Sequence, residues 1–302
     1  KEREVILMKM QALTEVSAIR KQTLRLKTVT PLLMHGDNNK QKAQTRGPSF
    51  KGMLRYWWRA IQTESQGLLA AEIVRFGGVG TSEGDGKVSP VRIHVQNIEE
   101  TKRYPLKPHR GNNEPTAPGI PKNTVFNLEL STLRKHEDQL ELYANLFELA
   151  VVLGGFGQRS RRGYGSLQIE GVTWSSKDEY IGYVEERLAK LAKKEKCIRT
   201  IKSDLPDSKY PVLRNIWIGK AEDDPETVLR MIGSETSRLK AEFKEGYALG
   251  SPGSKPASPL HVSIHQFTFG YCPVIVEVFK ERSPNPRYSQ QRGRLLQALG
   301  VK

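Results

Sequence analysis

Apolar and polar side chains alternate over residues 23–29 (Thr-Leu-Arg-Leu-Lys-Thr-Val), the period of a strand with one buried face, and Pro31 ends it. Ser49 is a natural N-cap. After it Phe50, Leu54, Trp57, Trp58 and Ile61 recur at helical spacing, which predicts a helix to about Gln62 with one face in the core. Residues 91–95 and 125–131 alternate again and read as the second and third strands. Residues 139–153 are apolar on nearly every side, the signature of a well-buried helix. Residues 164–172 supply a fourth strand. The order is β-α-β-β-α-β, the split βαβ or ferredoxin-like arrangement.

Beyond Trp174 the pattern shifts. Residues 177–196 form a charged amphipathic helix with Tyr180, Ile181, Val184, Leu188 and Leu191 as its inner stripe. A strand is predicted over 210–218, a helix over 225–244 with Pro225 at its start, strands over 260–267 and 274–279, and a last helix over 288–299. From Tyr210 this is β-α-β-β-α, the first pattern without its final strand. The chain is therefore predicted to be α+β. A weakly periodic, helical extension (1–20) precedes a first ferredoxin-like domain (21–174). A helical insertion and a second, degenerate ferredoxin-like domain make up 175–302. A length of 302 residues suits two domains.

Composition narrows the chemistry. Lys and Arg number 48 against 33 Asp and Glu, a formal charge of +15, on a chain whose 37% hydrophobic content is that of an ordinary folded protein. Such an excess is expected either to meet a polyanion, most often nucleic acid, or to serve as a solubilising surface charge. Cys197 and Cys272 stand far apart with no C-x-x-C pair, which excludes a Cys-rich zinc site and a disulfide scaffold and suits a reducing cytoplasm. The most apolar stretch, residues 146–156, is interrupted by Glu148 and is much shorter than the roughly 20 residues of a spanning helix, so no membrane partner is expected. The mixed charges of Lys1-Glu2-Arg3-Glu4 do not resemble a signal peptide.

Two constellations carry candidate chemistry. Lys51, Arg55 and Arg59 stand at i, i+4 and i+8, so they line one ridge of the predicted helix, and residues 38–63 hold no Asp or Glu between Asp37 and Glu64. A row of cations is also the pattern of a solvated face, but the missing counter-charges favour successive phosphates. Trp57 and Trp58 read as core, with one of the adjacent pair turned partly away from it. The second constellation is residues 154–166, Gly-Gly-Phe-Gly-Gln-Arg-Ser-Arg-Arg-Gly-Tyr-Gly-Ser. Its glycines, Gly155, Gly157, Gly163 and Gly165 among them, admit a backbone that approaches a phosphate chain, and Arg159, Arg161 and Arg162 supply forked donors. The competing reading is that the glycines serve tight helix–strand packing. Residues 162–169 also run close to the RNA-recognition-motif octamer, departing from it at Ser166 and Ile169.

Enzymatic motifs are scarce. Residues 80–87 miss the Walker A spacing, and no G-x-S-x-G, H-E-x-x-H or EF-hand loop occurs. His35, in His35-Gly36-Asp37, is a candidate acid–base group on RNA, although a lone loop histidine more often serves hydrogen bonding. His261 and His265 share one side of a strand but lack carboxylate partners for a metal.

Residues 30–32 (Thr-Pro-Leu) followed by Pro48-Ser49-Phe50-Lys51-Gly52-Met53-Leu54-Arg55-Tyr56-Trp57-Trp58-Arg59-Ala60, with residues 154–165 as the glycine-rich loop, resemble the RAMP superfamily of CRISPR proteins. More narrowly they are similar to the first RAMP subunit of type III-B (Cmr) effectors, as is the segment Ala257-Ser258-Pro259-Leu260-His261-Val262. The resemblance implies two ferredoxin-like domains and a ribonucleoprotein in antiviral defence that carries guide RNA and captures complementary target RNA. It further implies other RAMP subunits as partners, a place towards the guide's 3′ end, and no cofactor, metal or catalytic residue. Lys51, Arg55, Arg59, Arg159, Arg161 and Arg162 become the RNA-contacting candidates, with Gly155, Gly157, Gly163 and Gly165 shaping the backbone that admits RNA. Two other readings remain open: a metal-independent endoribonuclease of the guide-processing type that uses His35 or another base near the arginine loop, and a scaffold whose basic faces meet acidic proteins.

Overall fold

The computed structural model describes residues 18–36, 41–63, 66–80, 86–110, 114–195, 208, 210–250, 257–280 and 286–301. Strand β1 (Ile19–Thr28) lies at the centre of a four-stranded antiparallel sheet with β2 (Val91–Val95), β3 (Val125–Leu133) and β4 (Leu167–Ile169), in the order β2-β3-β1-β4. The alternation read from the sequence sends Leu24, Leu26, Phe126, Leu128 and Leu130 to one face, where all are buried. Helices α1 (Gly47–Ala60) and α3 (Asp138–Leu153) cover that face, with a short helix α2 (Leu68–Phe76) beside α1. Phe50 joins the layers, its ring centroid 6.1 Å from Phe126, 6.0 Å from Phe147 and 5.1 Å from Phe156.

Helix α4 (Lys177–Lys194) then packs on α3 through Tyr180, Val184, Leu188 and Leu191, all buried. Ser176 caps it by accepting a hydrogen bond from the Glu179 amide. A second antiparallel sheet follows, ordered β6-β7-β5, from β5 (Val212–Ile218), β6 (Leu260–Phe267) and β7 (Gly270–Phe279). Helices α5 (Pro225–Phe243) and α6 (Pro286–Ala298) pack around a second core that includes Val228, Ile232, Leu239, Ile264, Tyr288 and Leu295. The protein is thus a mixed α+β fold built on antiparallel sheets.

Several boundaries differ from expectation for identifiable reasons. Helix α1 begins at Gly47, with Arg46 in the capping position and Pro48 in the first turn, so Ser49 lies inside the helix and does not cap it. Proline fits the first turn because the amide it lacks has no intrahelical acceptor there. Gly47 is needed because a Cβ would lie 2.8 Å from the Ile93 carbonyl oxygen. The fourth strand shrinks to Leu167–Ile169, since Gly163 and Gly165 take φ of 86° and 64° and hold residues 164–166 out of the ladder. Helix α2 escapes the pattern because it is one short element that leaves Leu69 and Val74 exposed, blurring its periodicity. Ile19 and Arg20 belong to β1, not to an N-terminal helix; the rest of that expected helix, residues 1–17, lies outside the described residues, as does Cys197.

Gly165 has the least freedom. A Cβ there would overlap the Phe156 carbonyl oxygen, and the φ is left-handed. Gly165→Ala is therefore expected to cost more than about 2 kcal/mol. Gly171 (φ 81°) has open space around its Cβ position, so Gly171→Ala should cost only about 1 kcal/mol. Thermal unfolding of the two variants checks this: equal melting temperatures would contradict the account of the loop.

Candidate nucleic-acid interface

Lys51, Arg55 and Arg59 do line one ridge of α1, but the counter-charge the local sequence lacks arrives from α2. Glu72, its side chain only 4% exposed, accepts from Arg55 Nε at 2.6 Å and from Arg59 Nη1 at 2.7 and 2.8 Å. Arg55 and Arg59 are therefore not unneutralised, which corrects the expectation of three free cations. Their side chains remain 33% and 38% exposed, so each guanidinium keeps donors facing water while its orientation is fixed. Lys51 has no acidic partner among the described residues. Burial and then the nearby Arg55 charge pull its pKa below the usual lysine value. Lys51, Arg55 and Lys87 border a depression of about 410 Å³ between α1 and residues 76–78, 87 and 89, lined by no acidic side chain among the described residues.

Both tryptophans are core. Trp57 is fully buried against Gly154, where a Cβ would sit 2.7 Å from its ring. Trp58 does not turn away as expected, because α2 covers it: Phe76 meets its ring edge-on at 5.8 Å, and its indole N–H donates to Glu195 at 2.8 Å.

The glycine-rich segment is stitched into the protein's own backbone. Phe156 N donates to Gly165 O (2.9 Å), Gln158 N to Leu33 O (2.7 Å), Gly165 N to Pro31 O (2.9 Å) and Gly163 N to Val262 O of β6 (2.8 Å). Gly155, Gly163 and Gly165 are buried, and the space a Cβ would need is filled by Tyr164 O and Ser160 O at Gly155, by Leu229 and Ile232 at Gly163, and by Phe156 at Gly165. At Gly157 (φ 79°) the Leu33 carbonyl fills it. The glycines shape the loop by self-packing, with three of the four buried.

The arginines of the segment divide. Arg162, half-buried, donates to Leu249 O and to Ser258 Oγ (3.4 Å), and desolvation of its guanidinium lowers its pKa. Arg161 donates to Ser258 O and lies over the Tyr56 ring at 5.6 Å. These two fasten the chain around Leu249 and Ser258, on the approach to β6, to the loop. Arg159, in a left-handed conformation (φ 62°), is exposed, and its side chain has no hydrogen-bond or ion-pair partner among the described residues.

The histidines are structural. His35 Nε2 lies 2.8 Å from Pro118 O; a carbonyl only accepts, so Nε2 carries the proton. His261 is buried, 2.7 Å from the Tyr56 hydroxyl, and His265 is buried 3.0 Å from Ser263 Oγ. Desolvation lowers both, His265 to about 3 and His261 well below the usual imidazole value, the latter helped by the charges of Arg161 and Arg162. No cluster of metal-ligating side chains occurs among the described residues, and none of their helices is long and apolar enough to cross a membrane.

Residues 25–168 match the model of the RAMP superfamily. The chain is similar to the crystal structure of Cmr1 from Pyrococcus furiosus in its apo form, with a TM-score of 0.63 at 18% identity over 94% of this chain and 98% of that one. It is also similar to a chain in the cryo-EM structure of type III-B Cmr-beta bound to cognate target RNA, with a TM-score of 0.55 at 13% identity over 94% of this chain and 100% of the other. A further Cmr-beta structure, bound to cognate target RNA and AMPPnP in the presence of single-stranded DNA, matches with a TM-score of 0.52 at 14% identity over 92% of this chain and 98% of the other. Comparison with curated protein sequences gives no match.

The buried imidazoles couple stability to pH. In the unfolded chain each takes a proton below about pH 6.5, whereas the folded His265 stays neutral down to about 3. The stability held at neutral pH is therefore lost as pH falls below that unfolded value, by up to about 1.4 kcal/mol per unit for each such histidine. His265→Gln should flatten the fall in stability between about pH 6 and 4 by roughly that slope, measured by urea unfolding. Parallel curves for variant and parent would contradict it.

Proposed function

Residues 25–168 belong to the RAMP superfamily, and from that premise we propose that the chain is a non-catalytic RNA-binding subunit of a type III-B CRISPR effector. Its ligands are then guide RNA towards its 3′ end and the target RNA paired to it, and its protein partners are the other RAMP subunits of the assembly. The cytoplasm is the corresponding compartment, and antiviral defence the corresponding role. Support comes from the near-complete overlap with Cmr1 and with chains of Cmr-beta bound to target RNA. In the same reading the two antiparallel sheets are two ferredoxin-like domains, 21–174 and 175–302. The strand order β2-β3-β1-β4 with its two covering helices suits the first, and β6-β7-β5 with α5 and α6 suits a second copy that lacks the last strand.

The observation that carries the reading is Lys51, at the edge of a basic depression on the helix that bears the superfamily's signature run, with no acidic partner and no acidic lining among the described residues. Lys51 and Arg159 are the phosphate contacts. Arg55 and Arg59, aimed by Glu72, present their outer N–H groups to the same backbone, while Arg161, Arg162 and the four glycines hold the loop in shape. Such contacts fix position without reading sequence, as an effector that accepts many guides requires; sequence is read by base pairing. An endoribonuclease role would need His35 or another base near the arginine loop; with Nε2–H donating to Pro118 O, His35 could serve only through Nδ1.

Three outcomes test this. Lys51→Ala with Arg159→Ala should weaken binding of labelled single-stranded RNA about tenfold at low salt and reduce the log–log salt slope by roughly 1.4, two contacts at about 0.7 each; unchanged binding would contradict the assignment. With EDTA present the RNA should stay intact on a gel, and products lost on His35→Ala would establish the nuclease instead. Glu72→Gln should lower stability by about 1–3 kcal/mol, less than a fully buried pair because both arginines are part-exposed. The same change should tighten RNA binding at low salt, because one negative charge is removed beside Arg55 and Arg59. RNA binding unchanged in a folded Glu72→Gln protein would mean that these arginines do not face RNA.

A further inference from the structure

The depression beside Lys51 does not end at Lys87. Lys87 and Ser89 also line a larger one of about 620 Å³, which runs over α2, the start of β2 and the turn after β3. Its charged lining is basic throughout, with Arg92 on β2 and Lys135 and His136 on the turn following β3. Among the described residues no acidic side chain lines either depression. Arg92 and Lys135 are exposed, and neither has an ion-pair partner among the described residues. Between the cations stand apolar side chains that a soluble surface normally hides: Val74 is 62% exposed and Val88 91%. Cations that track a backbone, interleaved with apolar side chains that accept the faces of unstacked bases, are the makings of a single-strand groove.

We propose that these two depressions form one continuous track for single-stranded RNA, entering at Lys51, passing Lys87 and leaving over Arg92, Lys135 and His136. The inference rests on the RNA-binding reading and extends it to a surface outside the signature helix and the glycine-rich loop. Continuity through Lys87 and Ser89 and the unbroken positive lining favour RNA over a polypeptide, which would leave such a row of cations uncompensated unless it were itself acidic. The track commits the chain to more nucleotides than the α1 ridge can hold, and its valines contact bases without discriminating among them.

The test uses the full chain and oligouridine RNAs of increasing length. With the parent protein, affinity should continue to rise with length after the Arg92→Ala, Lys135→Ala double variant has reached its plateau. On the longer RNAs the double variant should bind about tenfold more weakly at low salt, with a log–log salt slope smaller by roughly 1.4, two phosphate contacts at about 0.7 each. The charge-conserving Arg92→Lys, Lys135→Arg pair should restore both. Both sites are on the surface, so the melting temperature serves as the check that the variants fold. Identical length dependence and salt slope in parent and double variant would overturn the track and leave that surface to a protein partner. The RNA-binding reading would still stand if Lys51→Ala with Arg159→Ala weakened binding. Absence of RNA binding by the parent chain would overturn both.

Discussion

Backbone lying directly on backbone at residues 154–166 is the constraint on which the remaining structure depends. The segment leaves a helix buried on nearly all sides, and its amides and carbonyls close on Pro31, Leu33 and Val262 at hydrogen-bond distance. Side chains on Gly155, Gly157 or Gly165 would collide with main-chain oxygens that cannot rotate away. One seam thereby joins the segment after β1 to β6 of the second sheet. Thr30 and Ser166 complete it: both hydroxyls donate to Gly163 O, at 2.6 and 2.9 Å, and the Ile264 amide donates to Ser166 Oγ at 2.9 Å. The polar groups of a buried loop are satisfied, so the loop can be rigid without being exposed.

That seam divides the work among the cations. Arg161 and Arg162 turn towards the protein because the seam brings Ser258 and Leu249 within reach of their guanidinium groups, and a partly buried guanidinium is held best when its N–H groups find oxygen. Arg159 sits at the outer bend, where the left-handed turn leaves its side chain in water. On α1 the division is made by Glu72, which fixes Arg55 and Arg59 and leaves Lys51 as the member of the ridge without an acidic partner among the described residues. An interface with few mobile cations loses less side-chain entropy on binding than a brush of free arginines would.

Most strands and helices were legible because their patterns are local. The two-residue alternation of β1 and β3 and the unbroken apolar circumference of α3 survive into the fold, and the basic ridge of α1 was visible as spacing alone. Missing from view were relations between distant segments. Glu72 is 13 residues from Arg59, on a helix too short and too exposed to announce itself, and that single oversight made the ridge look unneutralised and left Trp58 without its cover. The inward turn of Arg161 and Arg162 depends on a contact almost a hundred residues away in sequence. Ser49 is a good capping residue, but Gly47 and Pro48 begin the helix earlier because the Ile93 carbonyl lies against position 47 and permits no side chain there.

The most direct measurement is photo-crosslinking of single-stranded RNA carrying 4-thiouridine to the full chain, with the crosslinked peptides mapped by mass spectrometry. Crosslinks within residues 47–60, 86–92 and at Gln158–Arg159, with none at residues 160–166, would agree with outward-facing cations carried on a self-packed loop. Crosslinks concentrated at residues 160–166 would contradict it, because the loop would then have to open and offer RNA the groups that the structure holds inside.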